Sequence, residues 1–428
     1  MNKGGILKTY FTSLFQNAFT LSCFLLCFIM AGTCLAQTFP PLPEGNTGIA
    51  SRYPNDAGIA GDTDVIFSDD FESYADSSGL SATWNGGVYH NVRLATEKDH
   101  VFAGSKSVEF TLPQQTIEWS NTVARDLDKS HELTLLFLRA YTKFDTTFDV
   151  VGSSHNGIGM SAHYFINDQA TPGVPSNGYN KFLMEFESWR GTAADTSPGS
   201  LNVYIYHPGQ RSQWGDHFFP DGEVMPNTSI PYDFGSGFVA RPWITCKLGR
   251  WYCVELMVKA NTVGQSDGRV ACWLDGKLIA DFQNLVLRYV DSLKINRFNL
   301  SLHAGSNPTR QTYKWYDNAV AAKSYIGPMS SAGPVKNHLN PATGSCLPSV
   351  SGTTIYFSLA QAIPVRVDIF TMRGALVRNL VGGTFSSGSH GTRWDGRNGS
   401  GVPVAAGMYI AMIRIADRTW TAKMSIAL

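Results

Sequence analysis

Residues 249–282, GRWYCVELMVKANTVGQSDGRVACWLDGKLIADF, restrict the fold more than any other stretch. Within 251–259, Tyr252, Val254, Leu256 and Val258 alternate with Cys253, Glu255, Met257 and Lys259. That period of two sends one set to each face of a strand. The run 261–268 carries two Gly with Asn, Ser and Asp, so the chain reverses there. Alternation resumes over 269–274, and Asp275-Gly276 is a tight-hairpin signal because both residues tolerate positive φ. Two successive hairpins make a meander, the local unit of a large antiparallel sheet. On the polar face, Glu255 and Lys259 read as a solvated pair.

The rest of the chain agrees with a sheet protein. Its 428 residues suit two or three domains. There are 10 Trp, 17 Tyr and 25 Phe, and 34 basic residues balance 34 acidic ones without any basic run. A zero net charge with no basic patch excludes a nucleic-acid footprint and an anionic membrane surface. Lys3 and Lys8, an apolar run at 19–30 and small residues before Ala36 describe a secretory signal peptide over 1–36. The expected protein is therefore secreted or displayed on the outer cell surface.

Removal of that signal leaves Cys246, Cys253, Cys272 and Cys346. Cys253 and Cys272 lie on neighbouring strands, so a bridge between them is one reading. Buried free thiols are the preferred alternative, since three Cys fall in one sheet and the fourth is far away. No CxxC spacing occurs, which argues against zinc.

An extended N-terminal segment is expected over 37–64. Short strands follow at 65–74, 88–94, 107–112, 133–144, 157–165, 181–189, 201–207, 295–303 and 313–321, separated by Gly, Pro, Asn and Asp. Without helical periodicity this pattern predicts an all-β antiparallel jelly-roll sandwich over 65–326. Residues 327–350 form a Pro, Gly and Ser-rich linker. A smaller immunoglobulin-like β-sandwich is expected over 351–428, with Trp394 inside.

Three runs, VIFSDDFESY, the meander above and KWYDNAVAAKSYIG, resemble the concanavalin A-like jelly roll shared by laminin-G-type modules, bacterial glucanases and polysaccharide lyases. The likeness covers 65–326 and implies the fold; that fold hosts lectins and enzymes alike. VRVDIFTMRGALVRNLV, the WDGRNGSG turn and the terminal KMSIAL are similar to the immunoglobulin-like domain of flagellar hook-capping proteins and of sorting domains on secreted bacterial enzymes. That resemblance implies a bacterial protein sent through export or cell-surface machinery, by a type IX-like route.

Candidate chemistry concentrates in the jelly roll. Glu185 and Glu187, two apart on a strand, share a face at about 6.8 Å along the backbone, a spacing usable by the acid and nucleophile of a glycoside hydrolase. The glucanases it resembles carry a third acidic residue on that strand, where this chain has Trp189 and Arg190. A lyase instead needs a base and a group that neutralises a uronate carboxylate. His155, Asn156, His163, Tyr164, Tyr179, Asn180, Lys181 and Arg241 offer such groups, with structural histidines as the plainer reading. The Gln-x-His strand of alginate lyases is not visible.

Tyr204 and Tyr206 share a strand face and Trp214 lies in a loop, where aromatic rings can stack on sugar faces. With Lys181 and Arg241 they form the candidate carbohydrate-binding set. Asp70, Glu72 and Asp317 are candidate ligands of a structural calcium, because the first and last strands of this fold are neighbours; solvated strand ends are the alternative. No other cofactor is required. Three functions stay open: binding an extracellular polysaccharide or oligosaccharide, cleaving one as a lyase or glycoside hydrolase, and binding another protein at the surface.

Overall fold

The computed structural model describes residues 39–426 apart from 167, 168, 171, 308, 331–345, 352, 360, 361, 387, 416 and 417. The expected signal peptide and most of the expected linker lie outside the described residues. The chain forms two compact units, Met1–Ser330 and Ser331–Leu428.

Two antiparallel sheets build the first unit, and strands are numbered in chain order. One sheet holds β1 (Val65–Asp69), β3 (Val92–Ala95), β4 (Ser107–Leu112), β6 (Leu135–Phe144), β15 (Trp251–Lys259), β16 (Gly268–Leu274), β17 (Lys277–Leu285) and β19 (Thr312–Ala322). Its order is β17-β16-β15-β6-β19-β4-β3, with β1 also paired to β19. The other holds β2 (Gly87–Tyr89), β5 (Trp119–Asp126), β7 (Ser154–His155), β8 (Ile158–Ala162), β11 (Phe182–Trp189), β12 (Ser200–Tyr206), β13 (Asp216–Phe218), β14 (Val224–Met225) and β18 (Arg297–Ala304). Its order is β14-β13-β12-β11-β8-β18-β5-β2, and β7 pairs with β18. A short ribbon, β9 (Phe165–Ile166) with β10 (Gln169–Ala170), stands apart.

Alternation explains the sandwich. Leu136, Leu138, Val254, Leu256 and Val258 from one sheet meet Met184, Phe186, Val203, Ile205, Phe298, Leu300 and Leu302 from the other in a single buried cluster. Each such side chain contributes about 1.5–3 kcal/mol on burial. The intervening residues of β11, β12 and β18 face away from this core, and they form the site described below.

The outer face of the eight-stranded sheet is not solvated. Residues of the N-terminal segment, Ile49, Ala50 and Ile59, cover Phe137, Met257, Ala271 and Trp273 together with Tyr325 and Ile326. The segment is stitched to the β16–β17 hairpin by the Trp273 indole N–H on the Pro43 carbonyl (2.8 Å) and the Gly45 N–H on the Gly276 carbonyl (2.7 Å). Glu255 is consequently buried rather than solvated. Its carboxyl accepts the N–H groups of Ile326 and Gly327, both at 2.8 Å. Lys259 keeps its polar role, paired with Asp267 at 2.9 Å.

Other expectations change for local reasons. The stretch 88–94 splits into β2 and β3, which belong to different sheets. The strand expected over 65–74 stops at Asp69, whose carboxylate accepts the Phe71 N–H as Phe71 turns to positive φ. Cys272 lies opposite Leu256 and points into the core, whereas Cys253 is on the other face of β15. Their bridge is therefore excluded, and Cys246, Cys253 and Cys272 are buried free thiols.

The second unit is a smaller sandwich of β20 (Cys346–Ser351), β21 (Thr354–Leu359), β22 (Ile363–Thr371), β23 (Leu376–Phe385), β24 (Gly388–Arg393), β25 (Gly407–Ile415) and β26 (Arg418–Ile426). Its sheets run β20-β21-β24 and β23-β22-β25-β26. Trp394 is 1% exposed within their shared core, its indole N–H on the Arg397 carbonyl.

Candidate active site

The outward face of the nine-stranded sheet floors a cleft of about 740 Å³. Because side chains alternate, β11 presents Leu183, Glu185 and Trp189 to it, β12 presents Tyr204 and Tyr206, and β18 presents Asn299, Ser301 and His303. His155 from β7, His217 from β13 and the loop residue Trp214 complete the working surface. Trp214 is 48% exposed, a large aromatic held at the cleft rather than in a core.

Register sets the contacts. Glu185 pairs with Tyr204 across β11 and β12 and with Gly159 across β11 and β8. A Cβ at Gly159 would run into the Glu185 carboxyl, so the glycine makes room for it. Asn299 donates its amide to Glu185 Oε1 at 2.9 Å, while Glu185 Oε2 and Asn299 Oδ1 are shut off from solvent without partners. Burial, reinforced by the Glu187 charge, pushes the Glu185 carboxyl up to about 7. Burial also holds Glu187 well above the ordinary carboxyl range.

Glu187 and His155 form a pair, with Oε2 of the acid 3.0 Å from Nδ1 of the imidazole. Burial lowers the His155 pKa, against the pull of Glu185 and Glu118, which keeps the ring neutral. An aromatic series continues from it: His303 stacks at 5.3 Å between ring centroids, Tyr204 lies at 4.5 Å, and His217 stands 4.9 Å beyond Tyr204. Burial depresses His217 to about 3 and His303 to about 4. The Tyr204 hydroxyl accepts the Gly215 N–H at 3.0 Å, and burial raises its pKa, so it stays a proton donor.

Lys181 sits at the head of β11 with its ammonium 4.6 Å from the Tyr164 ring and 5.0 Å from the Tyr206 ring. Burial lowers this amine to about 8. A cation over two aromatic faces is stabilised by the ring quadrupoles, which offsets part of that desolvation.

The structure thus brings Glu185, His155, Tyr204, Tyr206 and Trp214 together in one cleft lining, with Glu187 against His155 and Lys181 against the Tyr164 and Tyr206 rings. Tyr179 is elsewhere, 63% exposed with its ring against Tyr289. Arg241 is also outside the cleft lining and donates to the Val239 carbonyl. Asp317 accepts the N–H groups of Phe102, Ala103 and Asn318, Glu72 those of Ser105 and Lys106, and Asp70 that of Glu72. These carboxylates act as loop-fixing acceptors, and among the described residues no group of three or more His, Cys, Asp or Glu is placed to hold a metal ion. Sequence reasoning passed over Asn299, Ser301 and His303. Their alternation on 295–303 was visible, but nothing local says that β18 lies next to β8 in the cleft floor.

Two stacked antiparallel sheets with an aromatic, acid-lined cleft on one outer face define a jelly-roll sandwich. A family model described as polysaccharide lyase 14 matches residues 189–318, a span that includes Tyr204, Tyr206, Trp214, His217 and Asn299 but begins after Glu187. A model described as FlgD Ig-like domain matches residues 348–414. Among solved structures, the alginate lyase Aly36B is similar at 21% identity, covering 61% of this chain and 98% of that one with a TM-score of 0.42. The marine PL-14 alginate lyase from Aplysia kurodai is 14% identical, covering 62% of this chain and 99% of its own, with a TM-score of 0.42. The endo-beta-1,4-glucuronan lyase from Trichoderma reesei is 16% identical, covering 61% and 96%, with a TM-score of 0.39. No curated protein matches the chain in sequence.

Proposed function

We propose that the first unit is a polysaccharide lyase that cleaves its substrate by β-elimination in the cleft. The observation that carries this reading is the Glu187–His155 pair facing Tyr204. His155, neutral with its Nδ1–H donated to Glu187 Oε2, has the Nε2 lone pair free to take the proton next to the sugar carboxyl group. The released electron pair forms the ring double bond as the glycosidic carbon–oxygen bond breaks. Tyr204, held protonated, donates to the departing oxygen. Proton transfer by positioned side chains of this kind contributes about 100- to 10,000-fold. The polysaccharide lyase 14 match supports the same chemistry.

The test is to incubate the protein with a panel of plant and algal polysaccharides while following the ultraviolet absorbance of unsaturated products together with reducing ends. Absorbance with reducing ends supports the lyase. Reducing ends alone would assign hydrolysis to the Glu185 and Glu187 pair instead, and retention of a glycan without either would leave a binding module.

The second unit is proposed as an export or surface-attachment signal for a secreted protein, on the strength of its FlgD Ig-like match and the signal-like residues 1–36. Removing residues 346–428 in the producing cell should then leave the protein inside the envelope; unchanged release to the medium would refute that role.

A further inference from the structure

The mechanism above leaves one buried acid of the cleft unused. We infer that Glu185 and Asn299 form the subsite that receives the carboxyl group of a uronate residue, with Glu185 donating its acid proton to that group. The inference rests on the lyase reading for its substrate, and it names the residue that recognises it.

Three features of the geometry lead there. Glu185 lies on the cleft floor between β8 and β12, over a glycine that leaves space for its carboxyl. Its hydrogen-bonding neighbours are neutral, the Asn299 amide and the Ser301 hydroxyl, and among the described residues no salt bridge reaches it. One oxygen each of Glu185 and Asn299 is buried and partnerless, which is costly for a carboxylate and far less so for a neutral carboxyl. Both are therefore built to work uncharged.

The titratable groups around Glu185 agree. Glu187 on its own strand opposes a second negative charge, and His155 from β7 is kept neutral by burial. Burial disfavours ionisation of the phenols of Tyr204 from β12, Tyr164 beside it and Tyr316 from the opposite sheet. His217 from β13 and His303 on β18 are neutral as well, while Arg297 of β18 is engaged with Asp126. With its proton on, Glu185 hydrogen-bonds a sugar carboxylate and spreads its charge; with the proton off, it repels it. A pKa near 7 places that change within the working range of the protein.

The experiment measures kcat and KM of the full chain on alginate and on polyglucuronate, from about pH 5.5 to about pH 8.5, for the wild type and Glu185→Gln. For wild type, KM should climb about tenfold per pH unit above about pH 7 with kcat changing less. In Glu185→Gln, whose amide donates but cannot ionise, this climb should vanish. A Glu185→Gln profile that parallels wild type overturns the inference, as does loss of kcat at unchanged KM, which would place Glu185 on the reacting atoms. If wild type forms no unsaturated product, the lyase reading fails by itself. The pH dependence of retention on the same two polysaccharides then decides the subsite: weakening above about pH 7 in wild type but not in Glu185→Gln supports it, and pH-independent or absent retention refutes it.

Discussion

Nδ1 of His155 lies 3.0 Å from Oε2 of Glu187, so the imidazole is aimed by a carboxyl that is itself cut off from water. Removing the base should cost far more than loosening it. His155→Asn is expected to lower kcat about 100- to 10,000-fold, and Glu187→Gln less, with KM little altered in both. Initial rates of unsaturated-product formation check this; equal losses of kcat in the two variants would argue against His155 as the base.

Two glycines at the start of the interior strand β8 separate fold from function. A Cβ at Gly157 would collide with the Phe186 backbone carbonyl, whereas at Gly159 it would meet only the Glu185 side chain. Gly157→Ala should therefore destabilise the unit, visible as a lower thermal midpoint. Gly159→Ala should melt close to wild type and raise KM about tenfold, equivalent to about 1.4 kcal/mol of binding.

The buried carboxyls should each take stability away as pH rises towards neutrality, opposite in sign to the buried His217 and His303, whose depressed pKa values add stability over the same range. Burial raises Glu255 to about 7 although two N–H groups oppose the shift, and burial does the same for Glu185 and Asp317. A carboxyl whose folded pKa exceeds its unfolded one binds more protons when folded, so its stabilisation is complete below about pH 4.5 and is lost by about pH 7. Each group accounts for at most about 3–4 kcal/mol. Over this window the melting midpoint of Glu255→Gln, whose amide cannot ionise, should gain on that of wild type as pH rises. A constant difference between the two midpoints from about pH 4.5 to about pH 8 would contradict the assignment.

Reducing agent should leave the fold unaffected. Cys253 and Cys272 point to opposite faces of their sheet, and burial pushes the Cys253 and Cys246 thiols up to about 12. Native protein is expected to resist thiol reagents at these positions, while unfolded protein reacts at all three. A thermal midpoint that drops on reduction would reveal a bridge that the geometry forbids.

How far the chain could be read beforehand depended on the range of the interactions. Alternation in 251–259 and 181–189 is local, and it sets Leu256 and Cys253 on opposite faces of one strand and Glu185 with Glu187 on one face of the other. The burial of Glu255 was hidden because it requires residues 49–59 and 325–327 to fold over the sheet from far away in sequence. His155 and Tyr204 could be named as candidates from residue type. Their meeting, and the addition of Asn299, follows from a strand order that joins β7, β8, β11, β12 and β18, which no short motif encodes.

The covering of one sheet and the opening of the other also divide the molecule by tolerance to change. Strands β6, β15 and β16 of the eight-stranded sheet are packed on both faces, with Leu138, Leu256 and Cys272 in the core and Phe137, Met257 and Ala271 under the cover of residues 49–59. In the nine-stranded sheet, positions 183, 185, 204, 206, 299 and 301 answer to the core only through the backbone. On the lyase reading, new sugar specificities would accumulate at positions 183, 206 and 301, which move no proton in the reaction, while the scaffold beneath stays the same.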